Sequence, residues 1–146
     1  TQPNFIAERG DQYLADVDTE DQPWLYRCAG FLAEGIPLAA GSDAPFGDSD
    51  PWRAMQAAID RTTPSGEIMA AGEALSPERA LGLFLSTLSA PGDEIRRLAP
   101  NSIADLCLLT EPWQRVRSAL SNQLVRMTWR SGELIHSSEQ AIVVNR

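Results

Sequence analysis

The sequence predicts an α/β fold, and three features carry the prediction. A one-sided helical stripe, Leu25, Cys28 and Leu32, runs into Gly35 and is followed at once by the apolar run Ile36–Ala40. That is the tight helix-to-strand junction of βα repeats. A second stripe, Leu81, Phe84, Leu85 and Leu88, repeats at i, i+3, i+4 and i+7. From Asp93 the texture turns to β: Ala104–Leu109 is a short apolar run, and Val125, Met127 and Trp129 alternate with Arg126 and Thr128.

A chain of 146 residues, 43% of them hydrophobic, suffices for one packed domain or a small domain with part of another. Its net charge of -8 argues against nucleic acid or a membrane surface as partner, because an acidic field attracts neither. Cys28 and Cys107 lie far apart among apolar neighbours, which predicts buried free thiols and a reducing, cytoplasmic compartment. No apolar run has transmembrane length, and Thr1–Ile6 lacks the layout of a signal peptide. The absence of an initiating Met is expected of an excised piece.

Taken in order, Thr1–Ile6 reads as the tail of an extended segment, and residues 7–22, with Glu8, Asp11, Asp16, Asp18, Glu20 and Asp21, as a solvated acidic connection. Pro23 suits the first position of a helix capped by Asp21 or Gln22 and stopped at Gly35. After the strand Ile36–Ala40, Asp50-Pro51 starts a further helix, Asp as cap and Pro at the first helical position, with Trp52, Met55 and Ile59 on its buried face. Asp43, Asp48 and Asp50 lack the glycine and closing glutamate of a calcium loop, so Asp50 is assigned to capping. Residues 62–72, with Pro64-Ser-Gly66 and Gly72, read as a surface loop beside the site that Asp43 serves.

Ser76-Pro77-Glu78 opens a helix that Ala90-Pro91-Gly92 ends, its leucine stripe facing the core. Beyond the strand at Ala104–Leu109, Pro112–Leu120 is a short amphipathic helix with Trp113, Val116 and Leu120 on one side. Ser131-Gly132 turns Val125–Trp129 into a hairpin with Leu134-Ile135, and Ala141–Val144 is expected to add an edge strand. There is no internal repeat or low-complexity tract.

Function concentrates at Ile36–Pro45. A strand delivers Asp43 into a turn of small residues, and loops beyond the carboxyl ends of strands are where α/β proteins bind ligands. Locally, an Asp in a Gly/Ser/Pro turn is more often a turn-former or helix cap than a ligand. Ser42, Phe46 and Trp52 are candidates to line a pocket and Arg61 to meet an anionic substrate group. Each also has a plain role, as turn hydroxyl, loop anchor, core aromatic and surface charge, and for Trp52 the plain role is preferred.

The run Gly41-Ser-Asp-Ala-Pro45, followed by Asp50-Pro51 and Ala57-Ala-Ile-Asp-Arg-Thr-Thr-Pro-Ser-Gly66, resembles the last barrel strand and following loop of the amidohydrolase superfamily, in its amidohydrolase-3 branch. Ile103–Leu109 is similar to that family's return strand and Trp129–Ile135 to its final hairpin, so the resemblance spans nearly the whole chain. It implies the C-terminal fragment of a TIM (β/α)8 barrel over residues 1–92, with a strand-seven remnant at Gln2-Pro3-Asn4. Residues 93–146 would form part of a small β-sandwich.

The resemblance further implies that Asp43 is the catalytic general base and a ligand to Zn2+ or another divalent metal. The substrate would be a small amide-like molecule cleaved at a non-peptide C–N bond. The family's metal-binding histidines and bridging lysine or acid have no counterpart here, since His136 is the one histidine and falls in the terminal hairpin. Asn4 stands where many branch members have His after Gln-Pro, and is a candidate substrate contact. Taken alone the chain is expected to bind no metal and to be inactive, and its open barrel flanks predict a homo-oligomer that covers them. The competing reading is a stand-alone binding or interaction module that kept a barrel remnant without catalysis.

Overall fold

The structure, a computed structural model, describes residues 1–138. It is a mixed α/β molecule, and the chain divides into two compact units, residues 1–96 and 97–146. Among the described residues no helix is long and apolar enough to cross a membrane.

The first unit corrects the reading of its opening segment. Asn4–Asp16 is a 13-residue helix, α1, entered through Pro3 at φ -65°. Phe5, Ile6 and Gly10 are buried on it, with Tyr13 half-buried one turn on, so a helical face is present. Gly10 hides that face in the sequence. A Cβ there would lie 2.5 Å from Thr63 Cγ2, so the position is kept bare for close approach rather than filled by an apolar side chain.

The expected helix from Pro23 is interrupted. A single 3₁₀ turn covers Gln22–Trp24, the chain breaks at Leu25–Arg27 with Tyr26 at φ 50°, and α2 runs only over Cys28–Ala33. Arg61 is the reason. It is fully buried, and its guanidinium donates to Tyr26 O at 2.8 Å, Leu25 O at 3.0 Å and Met69 O at 3.0 Å. Carbonyls turned towards this cation are unavailable to a continuous helix. The N-terminus of α2 is instead capped from outside: Gly30 N–H donates to Glu73 Oε2 at 2.7 Å, and Arg27 Nε to Glu73 Oε1 at 3.2 Å. Gly35, at φ 71°, ends α2 as expected, with Ile36 N–H reaching back to Phe31 O.

Ile36–Ala40 is extended but forms no regular strand. Its described partners are one residue on each side. The Thr1 amino group donates to Ala39 O and Gly41 N–H to Thr1 O, the pattern of a parallel pair, while Ala40 N–H donates to Leu83 O.

Helix α3, Pro51–Asp60, begins as read, with Asp50 Oδ1 accepting Trp52 N–H at 2.9 Å. Its buried face is Ala54, Met55, Ala57 and Ala58, whereas Trp52 and Ile59 are half-buried. Arg61 closes it in the left-handed conformation, φ 55°. The segment after it is a tight hairpin, with Thr62 bridged to Ile68 and with Thr63 and Met69 buried. Ser65 docks it on α1 through two hydrogen bonds to Asp11, which hold that carboxyl below its ordinary range.

The helix opened by Ser76 is shorter than its stripe suggests. Helix α4 is Pro77–Gly82, and an antiparallel hairpin follows, β1 (Ser86–Thr87) and β2 (Ala90–Ile95). Ala80 and Leu83 are buried, Leu81, Phe84 and Leu85 half-buried, and Leu88 lies fully exposed at the hairpin tip. Ser86 Oγ accepts Gly92 N–H at 2.9 Å, an alternative to helix that Ser and Thr offer the backbone.

The second unit is an antiparallel meander of β3 (Leu106–Leu109), β4 (Val125–Arg130) and β5 (Glu133–Ser137), in that order. Helix α5, Trp113–Val116, lies between the first two strands, with Val116 and Leu120 buried as read. Ser131 and Gly132, at φ 50° and 83°, make the expected two-residue turn. Asp105 Oδ1 accepts Ser131 N–H at 2.8 Å. Cys28 is buried, but Cys107 is exposed on β3, contrary to expectation, and both are free thiols. The described residues contain one two-stranded and one three-stranded sheet and no closed barrel, and Ala141–Val144 lies outside them.

Two outcomes follow from the clamp and the cap. Arg61→Lys should lower stability by about 2 kcal/mol in denaturant unfolding, because one ammonium cannot answer three carbonyls set around a planar fork. A loss under about 0.5 kcal/mol would show the clamp to be dispensable. Burial pushes the Glu73 carboxyl up, but its bonds to Gly30 and Arg27 more than offset this and leave its pKa below the ordinary 4.5. A depressed carboxyl contributes stability above its unfolded pKa and loses it as pH falls through the folded one. Wild type should therefore exceed Glu73→Gln in stability at neutral pH, and the gap should narrow as pH falls below the ordinary carboxylate value. A gap that does not narrow on acidification contradicts this.

Candidate functional site

Asp43 sits in the loop between the extended segment and α3, in the left-handed conformation at φ 57°. Such a backbone costs on the order of 1 kcal/mol for most L residues and is adopted by Asp and Asn more readily than by others. The turn is closed by main-chain groups: Phe46 N–H donates to Asp43 O at 2.8 Å and Gly47 N–H to the same oxygen at 3.1 Å. Ser42 Oγ accepts Ala44 N–H at 3.3 Å, and the Ala44–Pro45 peptide is cis. Asp43 is exposed, and its carboxylate makes no hydrogen bond or ion pair among the described residues.

The neighbouring acids are committed elsewhere. Asp48 Oδ1 accepts Asp50 N–H at 2.9 Å and its Oδ2 pairs with Arg53, while Asp50 caps α3. The loop thus holds one carboxylate with both oxygens free. Among the described residues no three His, Cys, Asp or Glu side chains gather to hold a metal ion. Asp43 fits a single coordination position, and the two or more further protein ligands that zinc takes are not supplied by the described residues. His136 is exposed on β5, paired across the strands with Thr128.

The other sequence candidates divide. Ser42, Phe46 and Asn4 come together at this loop. Phe46 is 66% exposed, and its ring meets Phe5 edge-on at 6.1 Å between centroids. Asn4 is only 2% exposed, donating from Nδ2 to Ser42 O at 3.2 Å and Glu8 Oε1 at 3.1 Å. Both partners accept, so the amide nitrogen faces them, and Oδ1 is buried without a partner among the described residues. Arg61 is corrected: its guanidinium is buried on three carbonyls and presents no exposed atom to an anionic group. Residues 62–72 likewise dock on Gly10 and Asp11 of α1 rather than on the Asp43 turn.

The cation at this loop is Arg9. It donates from Nη2 to Phe46 O at 3.0 Å, with its guanidinium 3.9 Å from the Phe46 ring centroid and 4.4 Å from that of Phe5. Neither Arg9 nor Glu8 stands out in the sequence, where both lie in the stretch that reads as a solvated connection. The signal that would have found them is the i, i+4 spacing of Glu8 from Asn4 and of Arg9 from Phe5 on one helix.

The model of the amidohydrolase family matches residues 1–136. The chain belongs to that family. The match covers the Asp43 loop and both units, and it places the chain in the amidohydrolase-3 branch. Comparison with curated proteins and with solved structures gives no match. Membership supports hydrolase chemistry on a carbon–nitrogen bond for this amidohydrolase chain.

Because the Asp43 carboxylate bonds nothing, Asp43→Asn should change folding stability by less than about 0.5 kcal/mol, whereas Asp43→Val, which puts a branched Cβ into the left-handed region, should cost about 1–2 kcal/mol. Chemical unfolding checks both. A loss above about 1 kcal/mol for the Asn variant would mean that the carboxylate supports the fold after all.

Proposed function

We propose that this amidohydrolase chain is the C-terminal part of a metal-dependent hydrolase that cleaves a non-peptide C–N bond of a small amide-like molecule, and that it is inactive alone. The observation that carries the reading is the idle carboxylate: Asp43 is exposed and unpartnered on a family-matched loop whose other acids are all engaged. A divalent cation, zinc in this reading, would be held in part by Asp43 and would supply Lewis acidity for water activation and carbonyl polarisation. Asp43 supplies a proton acceptor at its Oδ atoms and then, as an acid, a proton for the leaving nitrogen. Its left-handed backbone spares the carboxylate for that work, because the turn is closed by the Asp43 carbonyl instead.

Around it, Phe46 offers an exposed apolar wall, Ser42 a hydroxyl and Arg9 a half-buried cation for an anionic substrate group. Asn4 acts from beneath, through Ser42 O. Zinc or another divalent metal would be completed by ligands outside the described residues. Exposed Ile36 and Leu88 in the first unit, and Ile103 and Ile135 in the second, favour self-association that covers them. Cytoplasmic residence agrees with two free thiols.

The test is turnover in the complete reading frame that contains this chain. Asp43→Asn should lower metal-dependent amide hydrolysis by at least about 10²-fold with the melting temperature unchanged. Wild-type turnover in the Asn variant would overturn the assignment of Asp43.

A further inference from the structure

Three side chains from the first two turns of α1 reach the Asp43 loop. Asn4 Nδ2 donates to Ser42 O, immediately before Asp43, and to Glu8 Oε1. That same Glu8 oxygen accepts Asp48 N–H at 3.0 Å. One carboxylate oxygen therefore ties both ends of residues 42–48, directly at one end and through a buried amide at the other. Between them, Arg9 holds Phe46 O at 3.0 Å. Gly47 closes against the same amide, since a Cβ there would lie 2.3 Å from Ser42 O and 2.6 Å from Asn4 Nδ2.

Two further features show that the bracket serves the loop. Asp43 adopts a left-handed backbone, which Asp tolerates better than most L residues but which still costs energy that its surroundings offset. Asn4, moreover, is buried, and its Nδ2 makes both of these bonds.

We infer that Glu8 is a positioning residue, which together with Asn4 fixes the two ends of the loop and so holds the Asp43 carboxylate in place for chemistry. The inference rests on the proposed role of Asp43. Charge is not what the bracket needs. A carboxamide at position 8 keeps an oxygen that accepts both bonds, so Glu8→Gln should behave as wild type where Glu8→Ala does not. Glu8 is only half-buried, so neither change empties the core.

Amide hydrogen exchange on the full chain reads the bracket. In Glu8→Ala the Phe46, Gly47 and Asp48 amides should exchange at least about tenfold faster, while those of Arg61 and Met69 hold their wild-type rates. Glu8→Gln should restore protection. Unchanged exchange in Glu8→Ala, or equal acceleration throughout the unit, overturns the inference. In the complete enzyme, Glu8→Ala should lower kcat at least about tenfold with KM unchanged, and Glu8→Gln should recover it. Exchange as expected, with turnover indifferent to Asp43→Asn, removes the catalytic reading and with it the inferred purpose of the bracket. Unchanged exchange in Glu8→Ala, with turnover that needs Asp43, removes the bracket alone.

Discussion

One buried cation sets the arrangement of the first unit. The Arg61 guanidinium gathers carbonyls from Leu25, Tyr26 and Met69, while Met69 N–H returns a bond to Arg61 O. A charge taken wholly out of water is tolerated only when its N–H groups are answered. The answer fixes where α3 ends, where the Thr62–Ile68 hairpin closes and where α2 is allowed to begin. Placing the charge there also leaves the surface cation of the Asp43 loop to a different residue, Arg9.

Helix α1 carries the consequence towards the site. Its middle receives the hairpin after Arg61 through Gly10 and Asp11, and its first turns receive the Asp43 loop through Asn4, Glu8 and Arg9. The loop is thus bound to a helix that is itself fixed by the clamped segment. Among the described residues the loop leaves one carboxylate free: Asp48 is held in an ion pair and Asp50 in a helix cap, while the Asp43 carboxylate has no partner. A group so spared, on a loop matched to a hydrolase family, is the residue to which the proposed chemistry is assigned.

Much of this was legible in the residues. The Asp50-Pro51 start of α3, the Gly35 stop, the Ser131-Gly132 turn and the family itself all follow from local signals whose mechanism is local: a cap, a left-handed glycine, a two-residue turn, a short motif. The failures were tertiary. Helix α1 escaped because a glycine that makes room for Thr63 looks like a gap in the apolar pattern. The helix from Pro23 was read through a break made by a residue more than thirty positions downstream, which no window could see. Leu88 completed a helical stripe yet lies on a hairpin tip, because Ser86 offered the backbone a turn instead. Arg61 reads in sequence as an anion contact or a surface charge because a buried arginine and an exposed one look alike there.

The central claim is that the Asp43 carboxylate is reserved for a metal and its chemistry. Crystals of the complete polypeptide grown with zinc, mapped at the zinc absorption edge, test it most directly. The account predicts an anomalous peak about 2.0–2.2 Å from an Asp43 oxygen. A zinc ion bound elsewhere, with Asp43 turned back onto its own loop, would contradict it.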